Sequence, residues 1–115
     1  MANNKRRTPR YPFVASAELI EIKSQAQLST RVSNLGLYGC YFDTICPFPE
    51  GTAILLKIAK GLVFFEAEGQ VAYSRPSLGM GVEFRNIHPY FLKVLEEWLT
   101  QAKAAAEANL MQLPR

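Results

Sequence analysis

The feature that constrains the fold of this chain most is an eleven-residue run with a strict two-residue repeat. Across residues 63–73, apolar or small side chains occupy every second position, and mainly polar side chains lie between them. This is the period of a β-strand that buries one face. The first face comprises Val63, Phe65, Ala67, Gly69, Val71 and Tyr73. A strand of this length is expected to curve, and we expect it to bend at Gly69.

Five shorter segments show the same alternation and are separated by turn signals such as Pro47-Phe48-Pro49-Glu50-Gly51. Six antiparallel strands favour a closed or nearly closed barrel, because closure removes exposed strand edges. The predicted strands are residues 13–22, 30–35, 38–43, 54–58, 63–73 and 80–84.

The period changes at His88-Pro89, and apolar residues then recur at spacings of three and four. This pattern predicts an amphipathic helix, with Pro89 in its first turn. The apolar stripe that should dock the helix on the barrel is Phe91, Val94, Leu95, Trp98, Leu99 and Ala102. The sequence therefore predicts a mainly β protein, a six-stranded antiparallel β-barrel with a C-terminal α-helix. We assign residues 1–12 to an N-terminal arm, 13–86 to the barrel, and 88–112 to a helix packed on it or extending from it.

Positive charge is concentrated in the arm. The net charge is +3, but four of the 13 basic residues precede the first acidic residue, Glu18. Residues 11–115 contain nine basic and ten acidic side chains. Two prolines interrupt the basic segment, which we therefore predict to be extended. A local cationic arm favours an anionic partner: a phosphate ligand, a nucleic acid or an anionic membrane.

Two short motifs follow one another in the first part of the chain. The arm contains R-x-x-x-R between Arg6 and Arg10, with Arg7 beside the first arginine. An N-x-G-x-x-G motif occupies residues 34–39, and Gly-Met-Gly-Val-Glu-Phe occupies residues 79–84. Each motif alone is common, because a basic terminus is usually a solvated tail and such a glycine motif is usually a turn. Their joint presence in this order is more specific.

With these motifs the chain resembles the PilZ domain family over residues 6–84. The family pattern is R-x-x-x-R followed by D/N-x-S-x-x-G. Arg6 and Arg10 match the arginines, and Asn34 and Gly39 match the first and last positions of the second motif. The resemblance implies a barrel that binds the bacterial messenger cyclic di-GMP between arm and barrel, without a cofactor, and that passes the signal to an unidentified protein partner. Gly36 departs from the pattern, which has serine there.

These residue types suit such a ligand on physical grounds as well. An arginine fork can bind a phosphate or the O6/N7 edge of guanine with two hydrogen bonds, and can stack on a purine. Asn34 offers one acceptor and two donors. Glycines permit close backbone approach and positive φ. The candidate ligand-binding residues are Arg6, Arg7, Arg10, Asn34, Gly36 and Gly39.

The absent serine leaves a second hypothesis open. A lost hydroxyl should reduce affinity by at most about tenfold. The alternative is a degenerate PilZ-like module that acts through protein contacts and binds no nucleotide.

Other classes of function receive less support. With one histidine and two cysteines, Cys40 and Cys46, the sequence offers no credible catalytic or metal-binding set, so we predict a non-enzyme. Nucleic-acid bases can stack on aromatic side chains, and the candidates for such stacking are Tyr11, Phe13, Tyr38 and Tyr41. The charge of −1 outside the arm argues against nucleic acid as the ligand. No signal segment or apolar run of about 18–20 residues is visible, so we expect a cytoplasmic protein without membrane insertion. Apolar residues at the end of the helix leave homo-oligomerisation open: Leu110, Met111 and Leu113.

Overall fold

The strands form a closed antiparallel barrel. A computed structural model describes residues 8–111 of the chain. The barrel closes in the order β1-β2-β3-β6-β5-β4, so that every strand has two neighbours. This confirms the predicted fold class of a six-stranded antiparallel barrel with a C-terminal helix. The elements are β1 (Arg10–Glu21), β2 (Gln27–Gly36), β3 (Gly39–Asp43), β4 (Ala53–Lys60), β5 (Val63–Arg75), β6 (Gly79–Asn86) and α1 (Pro89–Met111).

The barrel begins three residues earlier than the sequence predicted. Strand β1 starts at Arg10, inside the segment assigned to the arm, and Pro12 lies within it. The paired residues of β1 and β2 include Pro12 and Asn34, whereas the pairing of β1 with β4 starts only at Ser16. The first residues of β1 therefore pair on one side only. Proline is tolerated there because its missing N–H is not required by a second neighbour.

The inner faces of the strands supply one apolar core. Leu19, Leu35, Phe42, Ile58 and Phe65 are fully buried in it. Among the described residues, no polar or charged residue is buried. Such a core stabilises the barrel through removal of apolar surface from water, at about 25 cal/mol per Å².

The pairing of strand β5 is interrupted at Gly69, where the sequence predicted a bend. The strand's pairing with β6 is irregular between Glu68 and Gly69 and again between Val71 and Tyr73. A Cβ on Gly69 would lie 2.8 Å from Cγ1 of Val82, which is too close for a side chain. Gly69 is therefore required for close packing at this interruption of the pairing.

Helix α1 adds its apolar stripe to the same core. Leu95, Trp98 and Ala102 are buried, and the helix packs on β5 and β1. The Trp98 ring lies 5.1 Å from the ring of Phe13 and 6.3 Å from the ring of Phe65, measured between centroids. This confirms the predicted docking stripe.

Beyond Ala102 the helix is mostly exposed, and Leu110 retains 68% of its accessible surface. Within residues 8–111, no helix is both long and apolar enough to span a membrane.

Candidate functional site

Arg10 and Asn34 meet on the outside of the barrel, 24 residues apart in sequence. Arg10 is the first residue of β1 and the register partner of Gly36 at the end of β2. Its Nη1 donates a hydrogen bond of 3.2 Å to Oδ1 of Asn34, and the pair is partly buried. The strand register thus brings one residue from each motif into direct contact.

The two motif glycines lie beneath the arginine side chain. A Cβ on Gly36 would lie 3.2 Å from Cγ of Arg10 and 3.1 Å from the carbonyl oxygen of Pro9. A Cβ on Gly39 would lie 3.1 Å from Nη2 of Arg10 and only 2.2 Å from the carbonyl oxygen of Val82. Both glycines are buried. They form a floor on which the aliphatic stem and the guanidinium of Arg10 rest.

Close approach, and not positive φ, explains these two glycines. Among residues 8–111, the glycines with positive φ are Gly51 and Gly61, which lie in connections between strands. Positive φ was one of two roles expected for Gly36 and Gly39, and that part of the expectation is wrong. Both lie in extended strand ends, where the missing side chain makes room for Arg10 and for strand β6.

The structure thus brings together four of the six predicted ligand-binding residues: Arg10, Asn34, Gly36 and Gly39. Arg6 and Arg7 lie outside the described residues 8–111.

Cys40 lies next to this site, although the sequence analysis assigned it no role there. Its side chain is fully buried next to Gly39, and burial raises the pKa of the thiol from 9.0 to about 12, an effect partly opposed by the positive charge of Arg10. The thiol therefore stays protonated near neutral pH and packs as an apolar group. The sequence signal of its burial is its alternation with Phe42 along β3.

The two cysteines are therefore expected to react very differently, since Cys46 is exposed and the thiolate is the reactive form. In a titration of the native protein with Ellman's reagent at pH 8, one thiol per chain should react rapidly and the second only after denaturation. Because the native thiol holds its proton between pH 9 and pH 12 while the unfolded thiol loses it, the unfolding free energy should decrease as pH rises through that window. Equal reactivity of both thiols would contradict this placement of Cys40.

Tyr73 faces the outside of the barrel, although the alternation along β5 predicted that it shares the inner face with Val71. The pairing irregularity between Val71 and Tyr73 reverses its direction. A Cβ on Gly81 would lie 2.3 Å from Cε1 of Tyr73, and Gly81 lies between the core residues Met80 and Val82. Since neighbouring strand residues point to opposite faces, the Tyr73 ring covers the outer surface.

A groove of about 590 Å³ lies elsewhere on the molecule, between β1, β4, β5 and the start of α1. Its lining contains Glu18, Glu66 and Glu68 but only one lysine, Lys57. This balance of charge disfavours an anionic ligand. The surface around Arg10 is therefore the better candidate for an anionic ligand.

The fold and this surface define a class: small antiparallel barrels with one C-terminal helix and an arginine–asparagine pair on the outer wall. The family model described as "PilZ domain" matches residues 4–101, which is most of the chain. The chain therefore belongs to the PilZ domain family.

Solved structures agree with this fold. The PilZ domain of YcgR from Escherichia coli, described with c-di-GMP, matches with a TM-score of 0.73 and 14% identity, over 95% of this chain and 99% of that chain. YcgR in complex with c-di-GMP, also from Escherichia coli, matches with a TM-score of 0.74 and 15% identity, over 96% of this chain and 51% of that chain. The Bacillus subtilis inhibitor of motility, MotI/DgrA, matches with a TM-score of 0.71 and 17% identity over 88% and 52%.

The chain spans about half the length of the last two proteins. A search of curated protein sequences gave no significant match.

Proposed function

We propose that this protein is a cyclic di-GMP receptor that transmits the messenger's signal to a partner protein, and that it is a binding module without catalytic activity. The observation that carries the proposal is the hydrogen bond from Arg10 to Asn34 above two buried glycines. Membership of the PilZ family supports it. Two of the similar structures are described as complexes with the same ligand, which adds support.

In this proposal the Arg10–Asn34 pair is prepared for an anionic guanine nucleotide. The hydrogen bond to Asn34 orients the guanidinium before the ligand arrives, which reduces the entropy lost on binding. The guanidinium can then bind a phosphate or a guanine edge with two hydrogen bonds. The amide group of Asn34 carries two further N–H donors for a base or phosphate oxygen.

The arm supplies the remaining positive charge in this proposal. Arg6 and Arg7, which lie outside the described residues, would add further contacts to the two phosphates. We propose that a cytoplasmic partner protein recognises the surface that the arm and the bound ligand form next to the start of β1.

Calorimetric titration of cyclic di-GMP into the purified protein at roughly physiological salt tests the proposal. Saturable binding at micromolar or lower concentration, with no binding of GTP, is the expected result. A nucleic-acid-binding function would be favoured instead if cyclic di-GMP did not bind and a single-stranded oligonucleotide did, with an affinity that falls steeply as salt increases. No binding of either ligand would favour the alternative of a degenerate module that acts only through protein contacts.

Gly36 is the observation behind that alternative, and its contacts allow a defined test. A side chain at position 36 meets Pro9 and Arg10 at 3.1 and 3.2 Å, so these atoms must move by a few tenths of an ångström. We expect Gly36→Ala to weaken cyclic di-GMP binding slightly, and Gly36→Ser to bind more tightly than Gly36→Ala, by up to about tenfold, through its hydroxyl. Comparison of the two variants by calorimetry separates the effect of the added Cβ on affinity from the effect of the hydroxyl. Equal affinities for the two variants would show that no hydroxyl contact forms at this position.

Self-association through α1 is a separate proposal. The helix is mostly exposed after Ala102, and Leu110 is a large apolar residue on that part. An exposed apolar helix end can pair with a second copy of itself. Light scattering over a range of concentrations should show a mass above that of the monomer, and a monomer mass at high concentration would remove the proposal.

A further inference from the structure

A row of register partners runs from the Arg10–Asn34 pair across the outer wall of the barrel. Asn34 on β2 is paired with Tyr41 on β3, Tyr41 with Gly81 on β6, and Gly81 with Tyr73 on β5. Neighbouring strands lie about 4.8 Å apart. Measured along this row between backbone positions, Tyr41 is therefore about 5 Å from Asn34, and Tyr73 is roughly 14 Å from Asn34.

The two tyrosine rings of this row lie against glycines. A Cβ on Gly81 would lie 2.3 Å from the Tyr73 ring, and a Cβ on Gly79 would lie 2.8 Å from Cε2 and Oη of Tyr41. The ring centroids are 6.2 Å apart, with planes inclined by 33°. The guanidinium carbon of Arg75 lies 5.2 Å from the Tyr73 ring centroid. Because strand β6 has no side chains at these two positions, the rings pack directly on its backbone.

Both tyrosines are only half-buried, so part of each ring remains in contact with solvent. We name the surface formed by Tyr41, Tyr73 and Arg75 the aromatic platform. A half-buried ring that packs on strand backbone offers an aromatic face to a ligand. Binding then costs little side-chain entropy, because packing already restricts the rotamer of the ring.

The charges around the platform leave it suited to an anionic nucleotide. Asp43 forms an ion pair with Arg31 at 3.5 Å, and Glu83 forms one with Arg85 at 3.5 Å. The nearest carboxylates are thus balanced by cations. Arg75, at the far side of the platform, is exposed.

We propose that the aromatic platform is a second subsite of the ligand surface, at which one guanine base of the bound cyclic dinucleotide stacks on Tyr41 or Tyr73 while Arg10 and Asn34 hold a phosphate or the other base. This inference rests on the proposed function, since it assigns a place to the second half of the same ligand. Base–aromatic stacking tolerates any purine, so the platform contributes affinity, and the polar pair contributes orientation.

Variants at the two tyrosines test this subsite by calorimetric titration of cyclic di-GMP. Leucine at position 73 or 41 still covers the glycine beneath it but has no aromatic face. Tyr73→Leu and Tyr41→Leu should together weaken binding roughly 5- to 150-fold, the range for loss of one base–aromatic stack. Tyr73→Phe and Tyr41→Phe should keep the wild-type affinity. Tyr90→Leu is the matched control, because Tyr90 is an exposed tyrosine on α1, outside the platform.

Arg75→Ala provides a second variant if the leucine substitutions prevent folding, because Arg75 is exposed at the end of β5. It should weaken binding roughly 10- to 150-fold through loss of one hydrogen bond between its charged guanidinium and the nucleotide. If the wild type binds cyclic di-GMP and the tyrosine and Arg75 variants all stay within twofold of it, the platform is refuted and the proposed function stands. If the wild type binds no cyclic di-GMP, both are refuted.

Discussion

Replacement of Arg10 by alanine should weaken the binding of cyclic di-GMP by at least roughly a hundredfold. Hydrogen bonds to a charged group contribute about 1.5–3 kcal/mol each, and a bidentate guanidinium makes two of them. At 1.4 kcal/mol per tenfold in affinity, their loss exceeds two orders of magnitude. The substitution also removes the donor to Asn34, so that the asparagine loses its fixed orientation. Calorimetric titration at one fixed salt concentration measures the effect.

Lys23→Ala is the matched control for this variant. Lys23 is an exposed cation in the turn after β1, at the opposite end of that strand from Arg10. Its loss removes the same formal charge and should change the affinity less than about threefold, because exposed charges interact only weakly through solvent. If the two variants weakened binding equally, the effect would come from net charge, and the specific role of Arg10 would be refuted.

Replacement of Phe65 by alanine should reduce the unfolding free energy by about 3–5 kcal/mol, the usual cost of such a truncation in a core. Phe65 is fully buried, and the centroid of its ring is 5.2 Å from the ring centroid of Phe84 and 6.4 Å from that of Phe91. With Trp98 at 6.3 Å, it joins α1 to the barrel. Urea unfolding followed by circular dichroism measures the change.

The neighbouring residue provides the control for this prediction. Phe64 points outward and is 46% exposed, with Nζ of Lys57 4.4 Å from its ring centroid. Phe64→Ala should therefore cost less than about 1 kcal/mol, the size of an exposed cation–π contact. Similar losses for Phe64→Ala and Phe65→Ala would mean that the inward and outward faces of β5 have been assigned wrongly.

Much of the fold could be predicted because the barrel obeys simple periodicity. The alternation along β5 identified Phe65, Ala67 and Val71 as one buried face, and all three are buried. The spacing of three and four after Pro89 identified the stripe that docks α1. Burial of apolar surface determines both patterns, so they are visible in sequence without knowledge of partners.

Pairing irregularities limited the prediction elsewhere. Tyr73 was expected on the inner face beside Val71, but a break in register turns it outward. Such a break depends on the neighbouring strand β6, whose glycines accept the ring, and a period along β5 alone cannot show it. The early start of β1 has a similar origin, because one-sided pairing makes Pro12 acceptable in a strand.

The candidate site was predicted as a list of residues, and its geometry came only from the structure. The motifs identified Arg10, Asn34, Gly36 and Gly39, and the register brings these four together. Their spacing does not reveal that the arginine stem rests on the glycines, nor that Cys40 is fully buried next to Gly39. These contacts arise from pairing across three strands, which local sequence patterns do not encode.

The most direct test of the central claim is an NMR titration of ¹⁵N-labelled protein with cyclic di-GMP. The largest shift changes should occur at the backbone amides of Gly36 and Gly39 and at the side-chain amide of Asn34. The indole N–H of Trp98, which packs between α1 and the barrel core, should change little. Absence of shifts at saturating ligand, or shifts confined to the glutamate-lined groove beside α1, would contradict the assignment of this surface as the ligand-binding site.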